Sequence, residues 1–253
     1  MPGRLEGKAA LITGGAGSIG VATATAFVAE GARVLITDLD RDALAAAAGA
    51  IGSDAVGWRV ADVTVEADVE AAVGEAVERF GQLDVVFANA GIFGVASPLV
   101  DYPTEAFERV LAVNVVGSML VCKHAMRVMQ RGASLIINSS VVGLTSAPGI
   151  AGYATSKHAL VGLMRTAAKE MAPNGIRVNS VHPGPTDNEF QHRIEMQETG
   201  AAVEEATRIF DSMIPLGRHA TTGEVAATVV FLASDESAFM TGHTLTVDGG
   251  LSV

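Results

Sequence analysis

Ala9-Ala10-Leu11-Ile12-Thr13-Gly14-Gly15-Ala16-Gly17-Ser18-Ile19-Gly20 is the stretch that decides the fold of this 253-residue chain. An apolar run with no strict alternation, closed by a threonine, reads as a short strand buried on both faces. Glycines follow at once, and a helical pattern runs from about Ile19 to Glu30. Arg33-Val34-Leu35-Ile36-Thr37-Asp38 is a second strand of the same kind. Strand, glycine turn, helix and strand make a βαβ unit, whose crossover is right-handed. The glycines Gly14, Gly15, Gly17 and Gly20 stand where a helix amino terminus offers free N–H groups and the positive end of its dipole, so a pyrophosphate can approach the backbone closely. Asp38 lies about twenty residues on, at the end of the second strand, where a carboxylate accepts hydrogen bonds from a ribose diol and repels a 2′-phosphate. The turn from Gly14 to Gly20 contains no lysine or arginine, and Leu39 rather than a base follows Asp38. The pattern points to NAD rather than NADP. Taken alone, Asp38 could equally be a solvated turn residue or a helix cap.

The alternation continues, with strands near Val56 to Ala61, Val85 to Ala88, Ser134 to Ser139, Arg177 to His182 and Thr244 to Val247, and helical patterns between them. Strands apolar at successive positions require burial on both faces, hence a parallel sheet between two helix layers. The expected fold is α/β: a Rossmann-like, doubly wound sheet of seven parallel strands with helices on both faces, in a single domain spanning residues 1–253. Two segments stand out for length. A helix is expected from about Thr104 to Gln130, apolar on more than one side, as a subunit contact would be. The segment from Asp187 to Met213 mixes charge, glutamine and methionine with Phe190, Met196, Ile209 and Phe210. It reads as a helical lid over a ligand, with a surface excursion as the alternative.

A formal charge of −11 argues against nucleic acid or an anionic membrane as partner, since both demand a basic patch. Hydrophobic residues make up 49% of the chain, which excludes disorder. No apolar run approaches the ~20 residues of a spanning helix, and the first one is broken at Thr13-Gly14-Gly15, too soon for a signal-peptide core. A soluble cytoplasmic protein is expected. Cys122, the single cysteine, sits in an apolar helical pattern and reads as a buried inert thiol. None of the six histidines pairs with an acid at metal-ligand spacing, so no metal is expected. His182, just before Pro183-Gly184, reads as a packed histidine.

Tyr153-Ala154-Thr155-Ser156-Lys157 carries the candidate chemistry. A phenol has an ordinary pKa of about 10 and is a poor base at neutral pH. Tyrosine and lysine four apart share a helix face, and a nearby ammonium favours the phenolate. Such a pair can pass a proton to or from an alcohol oxygen. The spacing alone also fits a half-buried ring beside a solvated lysine.

These residues do not stand alone. Thr13-Gly14 with Gly20, Asp38, Asp62-Val63, Asn89-Ala90-Gly91, Asn114, Ser139-Ser140, Tyr153 with Lys157, and Pro183-Gly184 together resemble the short-chain dehydrogenase/reductase family. Pro215-Leu216-Gly217-Arg218, Glu224-Val225-Ala226, Phe231-Leu232-Ala233-Ser234 and Val247-Asp248-Gly249-Gly250 extend the resemblance over the whole chain. It implies a nicotinamide cofactor held by the turn from Gly14 through Gly17, Ser18 and Ile19 to Gly20. Asp38 and Leu39 would lie at the adenosine ribose, Asp62 at the adenine amino group and the Val63 backbone at the ring. Asn89, Ala90 and Gly91 would line the adenosine and ribose region, and Pro183, Gly184 and the Thr186 backbone the nicotinamide carboxamide. In the catalytic set it implies, Tyr153 is the general acid/base and Ser140 bonds the substrate oxygen. Lys157 holds the nicotinamide ribose and lowers the phenol pKa, and Asn114 anchors a water leading from Lys157 to solvent. Two departures are visible. The family's second turn glycine falls at Ser18 and its common serine at Gly17, and its threonine after Pro-Gly falls at Asn188.

The reading is an NAD-dependent oxidoreductase that interconverts a secondary alcohol and a ketone. A 3-oxoacyl thioester reductase is the alternative enzyme, and an NAD-sensing binding module the non-catalytic one. The walls expected for the substrate, Phe93 to Ala96, Val141 to Ile150 and the 187–213 segment, with Phe93, Ser140, Val142, Tyr153 and Phe190 as contacts, are apolar with few positive charges. They suit an uncharged, alicyclic alcohol, a cyclic diol or a steroid. The resemblance further implies a homotetramer packed through the Thr104 to Gln130 helix and the helix that carries Tyr153.

Overall fold

The computed structural model describes residues 3–253. Their seven strands are β1 (Ala9–Thr13), β2 (Arg33–Asp38), β3 (Val56–Val60), β4 (Val85–Ala88), β5 (Ser134–Asn138), β6 (Arg177–Pro183) and β7 (Thr244–Val247). All pair in parallel in one sheet of order β3-β2-β1-β4-β5-β6-β7. The helices joining them are α1 (Ser18–Ala29), α2 (Arg41–Ile51), α3 (Glu66–Phe80), α4 (Thr104–Leu111), α5 (Ser118–Val128), α6 (Ala151–Met171), α7 (Glu189–Thr199), α8 (Val203–Met213) and α9 (Thr222–Ala233).

Register explains why both parities of each strand are apolar. Leu11 lies beside Leu35 and Val86, and these three, with Leu135 and Ile137, pack on Val73 of α3, Val121 of α5 and Leu160 of α6. Their neighbours Ile12, Ile36, Phe87 and Ile136 face the other way, onto Phe27 of α1, Leu44 of α2 and Val229 of α9. A one-residue slip would exchange the two layers, so the register is fixed from both sides. Phe87, for example, is fully buried, and its truncation to alanine would cost about 3–5 kcal/mol.

Local chemistry sets the helix ends. The Asp40 side chain accepts the Asp42 and Ala43 amides at the start of α2, which ends at Gly52 in the left-handed region. Thr221 and Glu224 cap α9 reciprocally. The long helix expected from Thr104 to Gln130 runs to Val128 and is not uniform: between α4 and α5 lies a π-helical segment, Ala112–Gly117. Wider turns of this kind often mark functional sites, and here the segment carries Asn114. The 187–213 segment folds as the helix pair α7 and α8. Among the described residues, no helix is long and apolar enough to cross a membrane.

The chain leaves β1 for β2 and β3 on one side, then returns to β4 on the other. The connections therefore diverge between β1 and β4, and a crevice opens at the carboxyl ends of those strands.

Candidate active site

Thr13, Asn89 and Asn138, at or just beyond the ends of β1, β4 and β5, brace the crevice floor. The Thr13 hydroxyl accepts the amides of Asn89 and Ala90 at 3.1 and 3.2 Å. Asn89 Nδ2 donates to the carbonyls of Thr13 and Gly14, both at 3.0 Å, and Asn138 Nδ2 donates to Asn89 Oδ1 at 2.8 Å. Above this floor a cavity of about 600 Å³ extends from the glycine turn to the α7–α8 pair.

The glycine turn is built for close approach. Gly14 has φ +63°, and a Cβ on it would lie 2.8 Å from Ala90 Cα. A Cβ on Gly20 would lie 2.3 Å from the Gly14 carbonyl oxygen. Gly17 precedes α1 without a capping side chain, and the first turn carries no acid, so the helix amino end is left for an external anion. Ser18 opens the helix in ordinary geometry, because only glycines take positive φ among the described residues. The exchange of glycine and serine at 17 and 18 therefore creates no strain. Asp38 holds the rim: Oδ1 accepts the Leu39 amide at 2.8 Å and Oδ2 the Ala16 amide at 3.1 Å. The nearby Arg41 guanidinium lies over the Trp58 ring, 5.5 Å from its centroid. One oxygen of Asp62 accepts the Thr64 hydroxyl at 2.7 Å and amide at 2.8 Å, and these bonds hold its carboxyl below the usual range. Gly117 brings the π-helical segment against Val63, whose Cγ2 would be 2.8 Å from a Cβ there. The narrow glycine turn, the open helix end and the acid at the second strand fit a dinucleotide with a free ribose diol.

At the other end of the cavity, Tyr153 and Lys157 project from the first turns of α6. The Tyr153 ring is half-buried, tilted against Phe93 with centroids 5.4 Å apart. Lys157 is 3% exposed, and its ammonium donates to the Asn138 carbonyl at 2.9 Å while lying 5.3 Å from the Tyr153 ring centroid. Burial pushes the phenol up to about 12, opposed by the Ser140 hydroxyl. Burial also brings Lys157 down to about 7. The protein alone therefore keeps the phenol protonated, and the lowering expected from the lysine is outweighed by desolvation. Ser140 leaves β5 in extended backbone, and its hydroxyl accepts the Val142 amide at 3.3 Å.

Asn114 is placed differently from the others. It is 1% exposed, and its carboxamide clamps the backbone of Ile92, accepting its amide at 2.8 Å and donating to its carbonyl at 2.9 Å. Nδ2 also donates to Ser156 Oγ, which bonds the Tyr153 carbonyl. Its side chain thus fixes the loop after β4 to the helix of Tyr153 and does not line the cavity. Of the other residues named above as catalytic, cofactor-binding or substrate contacts, all but Gly15 line it, from Gly14, Gly17, Ser18, Ile19 and Gly20 to Thr186 and Phe190.

At the carboxyl end of β6, the Gly184 amide bonds the Val247 carbonyl at 2.9 Å. Thr186 bridges to Ala220. Asn188 caps α7, its Oδ1 accepting the Gln191 amide at 2.8 Å, so the departure at this position serves the helix start. Phe93, Ile150, Ala154 and Ile194 form a separate apolar cluster, with Val142, Tyr153 and Phe190 packed on it. Glu195, fully buried in α7, bonds His219 Nε2, whose Nδ1 bonds Asp211 of α8 at 2.7 Å. This clamp was hidden in the sequence, since its three acid and base members lie far apart and have no motif. Asn138, which joins Lys157 to Asn89, was signalled only by its polarity at a strand end beside Ser139-Ser140. Cys122 is buried and its thiol is pushed up to about 12, far from reactivity. Among the described residues, no group of three His, Cys, Asp or Glu side chains could hold a metal ion.

A family model described as enoyl-(acyl carrier protein) reductase matches residues 14–252. Short-chain dehydrogenase reductase 3a of Arabidopsis thaliana is 41% identical over 99% of this chain and 97% of its own length. The crystal structure of levodione reductase superposes with a TM-score of 0.95 at 34% identity, covering 98% of both chains. That of NAD+-bound xylitol dehydrogenase gives 0.92 at 35% identity, covering 97% of this chain and 99% of the other. With agreement in sequence, fold and site running over almost its whole length, this chain belongs to the short-chain dehydrogenase/reductase family.

Proposed function

We propose that this NAD-dependent oxidoreductase of CH–OH groups interconverts an uncharged, alicyclic secondary alcohol, a cyclic diol or steroid-like alcohol included, and its ketone. The observation that carries the reading is the apolar cluster of Phe93, Ile150, Ala154 and Ile194 set directly against the Tyr153 ring. A hydrocarbon ring fits that surface and leaves its oxygen to the Tyr153 and Ser140 hydroxyls. NAD, when bound, supplies the acceptor or donor of the hydride. Asp38 and the Gly14 to Gly20 turn hold its adenosine half, with Leu39, Asp62, Val63, Asn89, Ala90 and Gly91. Lys157, Pro183, Gly184 and Thr186 hold the nicotinamide half.

Tyr153 donates the proton in reduction and accepts it in oxidation. Held at about 12 by burial, the phenol is a donor at neutral pH, so ketone reduction proceeds there and alcohol oxidation gains as pH rises. Ser140 bonds the substrate oxygen and stabilises charge growing on it. Lys157 holds its amine beside the ring, and Asn114 fixes the loop and helix that orient both. The 187–213 helices form a lid that shields this exchange from water. The 187–213 segment carries seven acids against two arginines, which disfavours a thioester borne on a phosphate-containing arm. The long helix exposes Val116 and Met119, and homotetramer assembly through it and α6 belongs to the same reading. Light scattering that gave a monomer at micromolar concentration would contradict the assembly. Rates with matched neutral and carboxylated cyclic alcohols test the substrate class: the neutral series should be turned over with the higher kcat/KM, and preference for the carboxylates would overturn it.

A further inference from the structure

His182 stands in β6 immediately before Pro183. Fully buried, it is used by neither the hydride nor the proton step. Its ring spans two groups: Nδ1 lies 2.8 Å from the Ser140 carbonyl oxygen and Nε2 2.8 Å from Ser180 Oγ. A carbonyl oxygen can only accept, so Nδ1 carries the proton, and in a neutral ring Nε2 then accepts from the Ser180 hydroxyl. Burial holds the ring at about 4, only partly opposed by the bond to Ser140 and reinforced by the Lys157, Arg165 and His158 charges. The ring is therefore neutral at working pH, with one tautomer and one direction of bonding.

The contact falls on Ser140 itself, one residue beyond Ser139, whose amide donates to the Val181 carbonyl of β6 at 2.9 Å. The Ser140 carbonyl also accepts the Gly143 amide at 2.9 Å, but that bond lies within the same short turn and cannot set the turn against the sheet. The other tie between Ser140 and β6 is a long one, Ser140 Oγ to the Pro183 carbonyl at 3.5 Å. We propose that His182 is a positioning residue that fixes Ser140 against the Pro183–Gly184 wall, so that serine hydroxyl, phenol and nicotinamide side keep one relative geometry. This rests on the reading of Ser140 as the group that bonds the substrate oxygen.

Asparagine can place an amide nitrogen where Nδ1 is, whereas glutamine reaches the Nε2 position and leucine supplies no donor. H182L should lower kcat by roughly ten- to a hundredfold, the scale of a displaced catalytic group, with the calorimetric Kd for NAD unchanged. The alkaline rise of alcohol oxidation should move to higher pH in H182L, because a displaced Ser140 hydroxyl no longer favours the phenolate. H182N should recover most of the lost kcat, and in an S140A background H182L should cost nothing further. Equal kcat for H182N and H182L, or losses from S140A and H182L that multiply, would overturn the proposal. If H182L does not fold, H182Q replaces it: kcat for H182N above H182Q supports the proposal, and equality overturns it. Full turnover by S140A would sink the catalytic reading of Ser140 and this inference together, whereas an impaired S140A beside a normal H182L would sink this inference alone.

Discussion

Replacing Asp38 by asparagine removes one charge and almost no volume, and it should dismantle the preference for NAD over NADP. Both carboxylate oxygens are tied to backbone, one to the Leu39 amide and one to the Ala16 amide. The acid therefore cannot swing away from a 2′-phosphate. Two unit charges ~5 Å apart at an effective dielectric of ~20 repel by about 3 kcal/mol. That is roughly a hundredfold in affinity. Beside Asp38, the Arg41 guanidinium lies over Trp58, and Leu39, 57% exposed to solvent, carries no charge. The assay is kcat/KM for NAD and NADP with one alcohol at saturation. Wild type should favour NAD by about a hundredfold, D38N by about tenfold or less, and D38S/L39R should favour NADP. An unchanged ratio in D38N would refute the reasoning and place the acid away from the ribose.

Gly20→Ala puts a Cβ 2.3 Å from the Gly14 carbonyl; overpacking of backbone should cost about 1–3 kcal/mol, seen as a lower Tm with weakened NAD binding, and normal values for both would contradict the tight-turn account. Lys157 sits at about 7 in the fold against an ordinary 10.5, so between those values the unfolded chain binds a proton that the folded chain does not, and stability rises with pH. Denaturant titrations at pH 7 and 9 should show that gain in wild type and lose it in K157M; equal pH dependence would remove the buried charge from the account. His219 experiences an opposing effect from burial, yet its hydrogen bonds to Glu195 and Asp211 raise its pKa overall. The clamp is then complete below the ordinary histidine range and weakens as pH rises through the raised value. H219Q should raise KM for the alcohol, leave NAD binding unchanged, and flatten the pH dependence of hydrogen exchange in α7 and α8; an unaltered exchange profile would show that the clamp does not hold the helix pair.

The seven strands were legible because apolar residues at both parities admit little besides a buried parallel strand, and their predicted bounds fall within a residue of those found. The place of the Gly14 to Gly20 turn between β1 and α1, and of Asp38 at the end of β2, was legible because a strand–glycine–helix–strand order constrains residue type at fixed spacing. What escaped depends on contacts between distant segments. The π-helical interruption at Asn114 has no propensity signal, since Ala112 to Gly117 reads as ordinary apolar helix. The Glu195–His219–Asp211 clamp spans α7, α8 and the loop before α9, with nothing local to announce it. The balance at Tyr153 also needed structure: four-residue spacing to Lys157 predicts a lowered phenol, whereas burial of both groups reverses the sign.

The most direct test follows reduced-nicotinamide absorbance with NAD and neutral cyclic secondary alcohols at mildly alkaline pH, comparing wild type with Y153F and measuring NAD binding to both by calorimetry. The account predicts turnover by wild type that climbs with pH, and a Y153F variant that binds NAD equally well but is slower by roughly the 10²–10⁴ expected for loss of a general acid/base. Turnover by Y153F at the wild-type rate would contradict it.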